Sequence, residues 1–181
     1  VDLWRCSETA NPQCAWVKSA TVATDGHYWF AGAATLPAGS WYQVVYYNDE
    51  KNWQYIKEWD ALPVMSYTAG AYAEVPPFDI GDVWLNIPWE ERVTLPVTFG
   101  WQRRDCVTGD TFVWYMYDPL NPNTDYWEFV DPITEHTFVL NELPEDAVYN
   151  KQYMWGVRVE NPAAGTGWSL SEHSVIFLPP Q

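Results

Sequence analysis

The chain has 181 residues, of which 24 are acidic and 9 are basic, and its net charge is −15. An acidic surface repels phosphate backbones, which argues against a nucleic-acid-binding function. Hydrophobic residues make up 48% and aromatic residues 18% of the chain; this composition predicts a packed, strand-rich core, and no apolar run approaches the roughly 20 residues of a membrane span.

The first two predicted strands flank a short polar loop. "VDLWRC" alternates apolar and polar residues from residue 1, and "CAWVKSATV" begins at residue 14. A hairpin would bring Cys6 and Cys14 close enough for a disulfide, worth roughly 2–3 kcal/mol in the chain-entropy model. The alternative is a pair of free thiols in a cytosolic chain. The remaining cysteine, Cys106, is either a free thiol or a link to another chain.

Three further strands are predicted before residue 88, with turn signals between them. They are "HYWFAG", "WYQVVYYN" and "DVWLNI", and the turns are "TDG", "PAGS" and "NDEKN". The segment "WQYIKEWDALPVM" lacks a clear period. It predicts either a short helical turn or a meandering loop.

The stretch "VATDGHYWFAGAATLPAGSWYQVVYY" resembles the prealbumin-like, Cna-type B domain of bacterial surface proteins. The family pattern runs V-x-L, then T-D-x-G-x-Y-x-F, then L-P-x-G-x-Y-x-V. The matching residues are Val1, Leu3, Thr24, Asp25, Gly26, Tyr28, Phe30, Leu36, Pro37, Gly39, Trp41 or Tyr42, and Val44. The usual residue between Asp25 and Gly26 is missing. Residues 1–86 are therefore expected to form a Cna-B-like β-sandwich.

The second half contains four runs of period-2 alternation. Their apolar positions are Val97, Phe99 and Trp101; Phe112, Trp114 and Met116; Tyr153, Trp155, Val157 and Val159; and the final run Ser174–Leu178. This order resembles a fibronectin type III-like sandwich over residues 87–181, with a boundary near "NIPWEERVTLP". The predicted fold class is thus all-β, with two tandem antiparallel β-sandwich domains.

The chain contains none of the familiar catalytic or nucleotide-binding motifs, so we expect no enzyme and no required cofactor. One loop, "DPLNPNTD", offers the oxygen ligands that calcium prefers. Those ligands would be Asp118, Asn121, Asn123 and Asp125. The same residue types are ordinary turn formers, which is the competing interpretation.

Several aromatic residues fall in polar, irregular text and are candidates for a glycan-binding or interface surface. They are Trp53, Tyr55, Trp59, Trp89 and Trp127. Exposed aromatic rings can stack on sugars. The alternative for the same residues is packing at the edge of a sandwich or against a neighbouring module.

The Cna-B resemblance also predicts a missing element. In that family a strand precedes V-x-L, and no residue precedes Val1 here. A module without that strand would have an open edge, which recruits a strand from a neighbour. Head-to-tail donation would give rings, tubes or filaments.

We therefore predict a secreted or cell-surface bacterial protein, the subunit of an extracellular filament, tube or surface layer that self-associates into a homopolymer. The alternative is a carbohydrate-binding or adhesive surface module that uses exposed Trp and Tyr side chains. A third interpretation is an accessory region of a larger secreted enzyme. No membrane span is expected in any of the three.

Overall fold

A computed structural model describes residues 1–8, 13–49, 51–88, 91–102, 104, 108–122, 126–129 and 131–180. Within these residues the fold is all-β, as predicted, and holds thirteen strands. They are β1 Asp2–Ser7, β2 Gln13–Ser19, β3 Ser40–Tyr47, β4 Glu58–Ala61, β5 Trp84–Ile87, β6 Glu91–Val93, β7 Val97–Gln102, β8 Thr111–Tyr117, β9 Tyr126–Glu128, β10 Thr137–Leu140, β11 Gln152–Asn161, β12 Gly165–Trp168 and β13 His173–Phe177.

The described strands form a ten-stranded and a three-stranded sheet. The small sheet has the order β10-β7-β5. The large sheet follows the path β2-β1-β3-β4-β12-β11-β13-β6, and β8 pairs with both β11 and β9. One edge of β11 pairs with β8. The other edge is divided, because residues 152–155 pair with β13 and residues 158–161 pair with β12.

An aromatic core packs the two sheets face to face. Phe99 of β7 lies 4.7 Å from Trp114 of β8 and 4.9 Å from Trp155 of β11, measured between ring centroids. These core positions alternate along each strand, which confirms the predicted strands of the second half. Burying each such ring contributes on the order of 1.5–3 kcal/mol.

Irregular segments, rather than a second sheet, cover the core face of β1, β3 and β4. The predicted strand "HYWFAG" is wrong, because residues 27–32 are not in a strand. Gly26 and Gly32 both adopt positive φ, at +85° and +72°, and turn the chain at each end of this segment. Tyr28 and Phe30 still pack against the core, since Tyr28 lies 5.7 Å from Phe30 and 6.3 Å from Phe78, whereas Trp29 between them is exposed.

The segment predicted as a helical turn or loop contains β4 instead. Trp59 in the middle of this strand is fully buried and stacks on Phe78 with an interplanar angle of 9°. β4 pairs with β3 on one side and with β12 on the other. The sheet is therefore continuous from the first half of the chain to the second.

The predicted boundary at residues 86–87 lies inside this continuous architecture. β5 spans the boundary and pairs with β7, and one hydrophobic cluster contains residues from both halves. The division into domains 1–86 and 87–181 stays a prediction. If the chain does form two tandem sandwiches, the large sheet and the hydrophobic core are common to both of them.

β1 is not the open edge that the Cna-B resemblance predicted. It pairs with β2 on one side and with β3 on the other, in antiparallel register. Among the described strands, β2 is the outermost at this end of the sheet. The disulfide between Cys6 and Cys14 joins β1 to β2 across a directly paired position, which confirms the predicted bridge.

A buried guanidinium ties the first half to the second. Arg104 lies 4.8 Å over the ring of Trp59 and donates to the carbonyl of Asp79 at 2.5 Å. Its Nε and Nη2 atoms donate to Asp110 at 2.9 and 2.8 Å. The other oxygen of Asp110 accepts from Asn161 at 2.8 Å. Because the buried charge is paired and hydrogen-bonded, its desolvation is offset.

Gly167 provides a test of the contact between β4 and β12. A Cβ at this position would lie 2.4 Å from Cε3 of Trp59 and 2.8 Å from Cδ1 of Ile56. We expect Gly167→Ala to lower the free energy of unfolding by about 1–3 kcal/mol, measured by urea denaturation. Thr166→Ala, which changes the opposite face of the same strand, should cost less than about 1 kcal/mol. Equal stability of Gly167→Ala and the parent chain would contradict the contact.

Candidate functional site

The face of the large sheet opposite the core carries aromatic and charged side chains; we call it the outer face. It is formed by the residues that alternate with the core positions on β3, β4, β8, β9, β11 and β12. On β8 these include Tyr115 and Tyr117, which alternate with the buried Trp114 and Met116. On β12, Trp168 lies on the outer face because its neighbour Gly167 contacts the core. Tyr115 is itself buried, whereas Tyr117 and Trp168 are half-buried.

A cleft of about 480 Å³ opens on the outer face, and we call it the outer cleft. Four of its lining residues are aromatic, two are prolines and two are charged. They are Tyr115, Tyr117, Tyr126, Trp168, Pro119, Pro122, Lys57 and Glu172. Such a combination of aromatic walls with a few polar groups is typical of sites for small organic ligands.

The carboxylate of Glu172 is held by three groups in the outer cleft. Tyr115 donates its hydroxyl to Oε1 at 3.0 Å, and Tyr117 donates to Oε2 at 2.7 Å. The ammonium group of Lys57 lies 3.6 Å from Oε1. Burial, and next the Glu172 carboxylate, raises the pKa of both tyrosines above the usual value. The two hydroxyls therefore stay protonated and keep donating at neutral pH.

The tyrosines form a row of nearly parallel rings along the cleft. The ring of Tyr115 lies 5.7 Å from that of Tyr126 and 6.4 Å from that of Tyr117, with interplanar angles of 21° and 24°. Gly156 makes room for this row, because a Cβ there would lie 2.4 Å from the hydroxyl oxygen of Tyr115. The row is thus built on a strand position without a side chain.

Buried hydrogen bonds hold the segment that carries Glu172. Ser169 is fully buried; it accepts from the amide of Val157 at 3.2 Å and donates to the carbonyl of Ser171 at 3.0 Å. The amide of Leu170 donates to Oδ1 of Asp82 at 3.0 Å. These bonds fix the chain between β12 and β13, and with it the position of the carboxylate.

Asp82 is the least satisfied member of this support. Its Oδ2 atom is buried and has no hydrogen-bond partner in the part of the chain that the structure describes. Burial raises the pKa of this carboxyl to about 6, against the opposing effects of backbone donors and Arg104. Near neutral pH the group therefore gains a proton readily compared with an ordinary aspartate.

A second depression of about 340 Å³ lies beside the outer cleft and shares Trp168 with it. Its lining combines polar side chains of β3, β4, β11 and β12, among them Gln43, Asp60 and Thr166, with the apolar Leu62 and Pro63 that follow β4. At its border Arg158 forms ion pairs with Glu128 and Glu160, at 2.7 and 2.6 Å. Burial raises the pKa of Asp60.

The lining of the outer cleft contains none of the four described aromatic residues that were predicted as a ligand surface. Trp53 and Tyr55 are exposed, at 64% and 38%. The prediction is wrong for Trp59, which is a buried core residue. Trp127 packs edge-on against Tyr153 and donates to the carbonyl of Glu145, so it serves packing.

Two of the predicted calcium ligands already have partners within the protein. Asp118 accepts from the amide of Leu120 and from the side chain of Asn121, both at 2.9 Å, and pairs with Lys151 at 2.8 Å. The ammonium of Lys151, followed by these donors, lowers the pKa of Asp118 to about 2. Among the described residues no group of three acidic, histidine or cysteine side chains is arranged to hold a metal. Calcium binding stays a prediction.

Four predicted site residues lie outside the described residues. They are Trp89, Cys106, Asn123 and Asp125. The glycan, thiol and calcium predictions made for them therefore stay predictions.

Comparisons with family models, with curated proteins and with solved structures found no match to this chain. Within the described ranges there is no helix of sufficient length and apolarity to cross a membrane. The residues of the outer face are thus the basis for a functional proposal.

The burial of Asp82 can be tested by measuring how the stability of the protein depends on pH. Because the pKa of Asp82 is about 6 in the folded protein and 3.8 in the unfolded chain, the folded state binds this proton more tightly. The resulting stabilisation is complete below about pH 3.8 and is lost as the pH rises through about 6. Asp82→Asn should therefore gain stability relative to the parent chain between pH 4 and pH 7, by roughly 3 kcal/mol. Urea denaturation at several pH values measures the difference. A difference that does not change with pH would show that Asp82 does not titrate in this range.

Proposed function

We propose that this protein is a secreted, non-catalytic glycan-binding module of a cell surface and that the outer cleft holds the sugar. The observation that carries the proposal is the pairing of an aromatic wall with a fixed carboxylate in one cleft. Tyr117, Tyr126 and Trp168 supply the rings, and Glu172 is oriented by two tyrosine hydroxyls. We infer no catalytic role for any of these residues.

The chemistry of a sugar matches this arrangement. A pyranose ring presents C–H groups on its faces and hydroxyl groups around its edge. The C–H face packs on an aromatic ring, and the hydroxyls need hydrogen-bond partners where water is displaced. A carboxylate such as Glu172 accepts bonds from two adjacent hydroxyls. Because its position is already fixed by Tyr115 and Tyr117, little order is lost on binding.

An extracellular location is supported by the disulfide between Cys6 and Cys14, since such bridges persist in oxidising compartments. The proposed fold of residues 87–181 is fibronectin type III-like. It is supported by the pair β10-β7, which packs on the strands β9-β8-β11-β13, although the third strand of that small sheet, β5, comes mostly from the first half. For residues 1–86 the Cna-B-like interpretation rests on the sequence pattern, together with the sheet β2-β1-β3-β4.

A second candidate function is assembly into a filament, tube or surface layer through strand complementation. It is favoured by β2, which within the described residues pairs only with β1 and leaves seven residues at an edge. Its sequence carries one positive charge, from Lys18, in a chain of net charge −15. The strand therefore lacks the negative charge that would repel an acidic neighbouring copy. An exposed edge of this kind accepts a further strand.

The glycan-binding proposal is tested with a glycan array, followed by calorimetry on the best ligand. Trp168→Ala should weaken binding at least about tenfold, because it removes the central ring. Tyr117→Phe keeps the ring but releases one oxygen of Glu172, and should weaken binding about threefold to tenfold.

The matched control is Trp53→Ala, which removes an exposed ring outside the cleft and should leave the affinity unchanged. Loss of binding in Trp53→Ala with full binding in Trp168→Ala would place the sugar site around Trp53 and not in the outer cleft. The absence of any bound glycan would reject the function itself.

The assembly candidate is tested by sedimentation velocity at increasing protein concentration. Trp16 on β2 is 56% exposed, and Trp53 is 64% exposed in a turn. If β2 joins copies, the parent chain should form large species that Trp16→Glu abolishes and Trp53→Glu retains. A parent chain that stays monomeric at millimolar concentration would rule out this candidate.

A further inference from the structure

We infer that the ligand of the outer face is a linear oligosaccharide without acidic groups, which crosses the strands and occupies the outer cleft and the second depression together. Trp168 is the platform shared by the two. This inference rests on the proposed glycan-binding function and extends it to the length and charge of the ligand.

The position of Trp168 supports a chain rather than a single sugar. Trp168 belongs to the walls of both the outer cleft and the second depression, and no other residue lines both. Together they extend from β9 to β3, across β8, β11, β12 and β4. Five inter-strand spacings of about 4.8 Å give a length of roughly 24 Å, enough for several sugar rings in a row.

The second depression supplies polar groups but no tyrosine or phenylalanine. Gln43 and Thr166 line it with an amide and a hydroxyl, and Asp60 adds a half-buried carboxylate. The amide nitrogen of Gln43 donates to the carbonyl of Ala61, which fixes the position of this side chain. These groups match sugar hydroxyls. Since the rings are concentrated at Trp168 and in the outer cleft, the second depression binds only a chain already stacked on Trp168.

The charges of the outer face exclude an acidic ligand. Both of the cations that line the two depressions are already neutralised, Lys57 by Glu172 and Arg158 by Glu128 and Glu160. Two further carboxylates, Glu58 and Asp60, face the same side of β4, opposite Trp168 and Thr166. An anionic sugar would meet this surplus of negative charge without a free cation to pair with.

The experiment measures affinity by calorimetry for cello-, xylo-, manno- and chito-oligosaccharides of one to six rings. Affinity in the recognised series should rise with length until the chain reaches the second depression, and then stay level. An oligogalacturonide of the same length should bind at least about tenfold more weakly at low salt.

The double variant Gln43→Ala/Thr166→Ala separates the two regions. It should weaken binding of the long chains about tenfold and leave the affinity for one or two rings within about twofold. Trp168→Ala should weaken binding of every length. Circular dichroism and the unfolding midpoint check that both variants keep the fold.

The outcomes distinguish failure of the inference on ligand length and charge from failure of the proposed glycan-binding function. Binding that does not depend on length, or that the double variant leaves intact for long chains, overturns the inference while the outer cleft remains a sugar site. Preference for the oligogalacturonide overturns the inference on charge. Binding of a proline-rich peptide in place of every sugar overturns the inference and the proposed function together.

Discussion

The pairing of β4 with β12 is the contact on which the rest of the molecule depends. It joins strands more than a hundred residues apart in sequence, and it brings Trp59 under Gly167, with the indole Nε1 3.4 Å from the carbonyl of Ala164. The strands can approach this closely because β12 carries glycines at 165 and 167, where a side chain would strike the backbone of β4 or the ring of Trp59. On the opposite face the same pairing sets Trp168 beside the second depression. Core and outer face therefore rely on one short ladder.

Arg104 reinforces this ladder from the side of the core. A lone buried guanidinium would cost several kcal/mol of desolvation, so its charge is distributed over the Trp59 ring, the Asp110 carboxylate and the Asp79 carbonyl. Because buried ion pairs roughly balance their own desolvation cost, the network adds little net stability, but removal of one partner would leave a buried charge unpaired. Asp82 is also buried, and burial raises the pKa of its carboxyl because the backbone donors and Arg104 offset the loss of water only in part.

Much of the strand pattern could be predicted from the sequence, because core-facing residues are apolar and recur at every second position along a strand. That is why β7, β8, β11 and β13 follow the predicted alternation and why Cys6 and Cys14 were paired correctly. Trp59 was misassigned because its neighbours, Glu58 and Asp60, point to the outer face and make a core strand look polar. The outer cleft was missed altogether. Its residues come from three distant stretches of the sequence, and the only local signal was the pair Tyr115 and Tyr117, which alternates with the core positions of β8.

The long separation between β4 and β12 has a consequence for the order of events during synthesis. Strands of the first half emerge from the ribosome long before β12 exists, so β4 must wait with one edge unpaired and Trp59 uncovered. Contacts of such high sequence separation form late and slowly. The edge of β4 therefore stays exposed until β12 has been synthesised. A chaperone or export factor that shields β4 would act mainly in that interval.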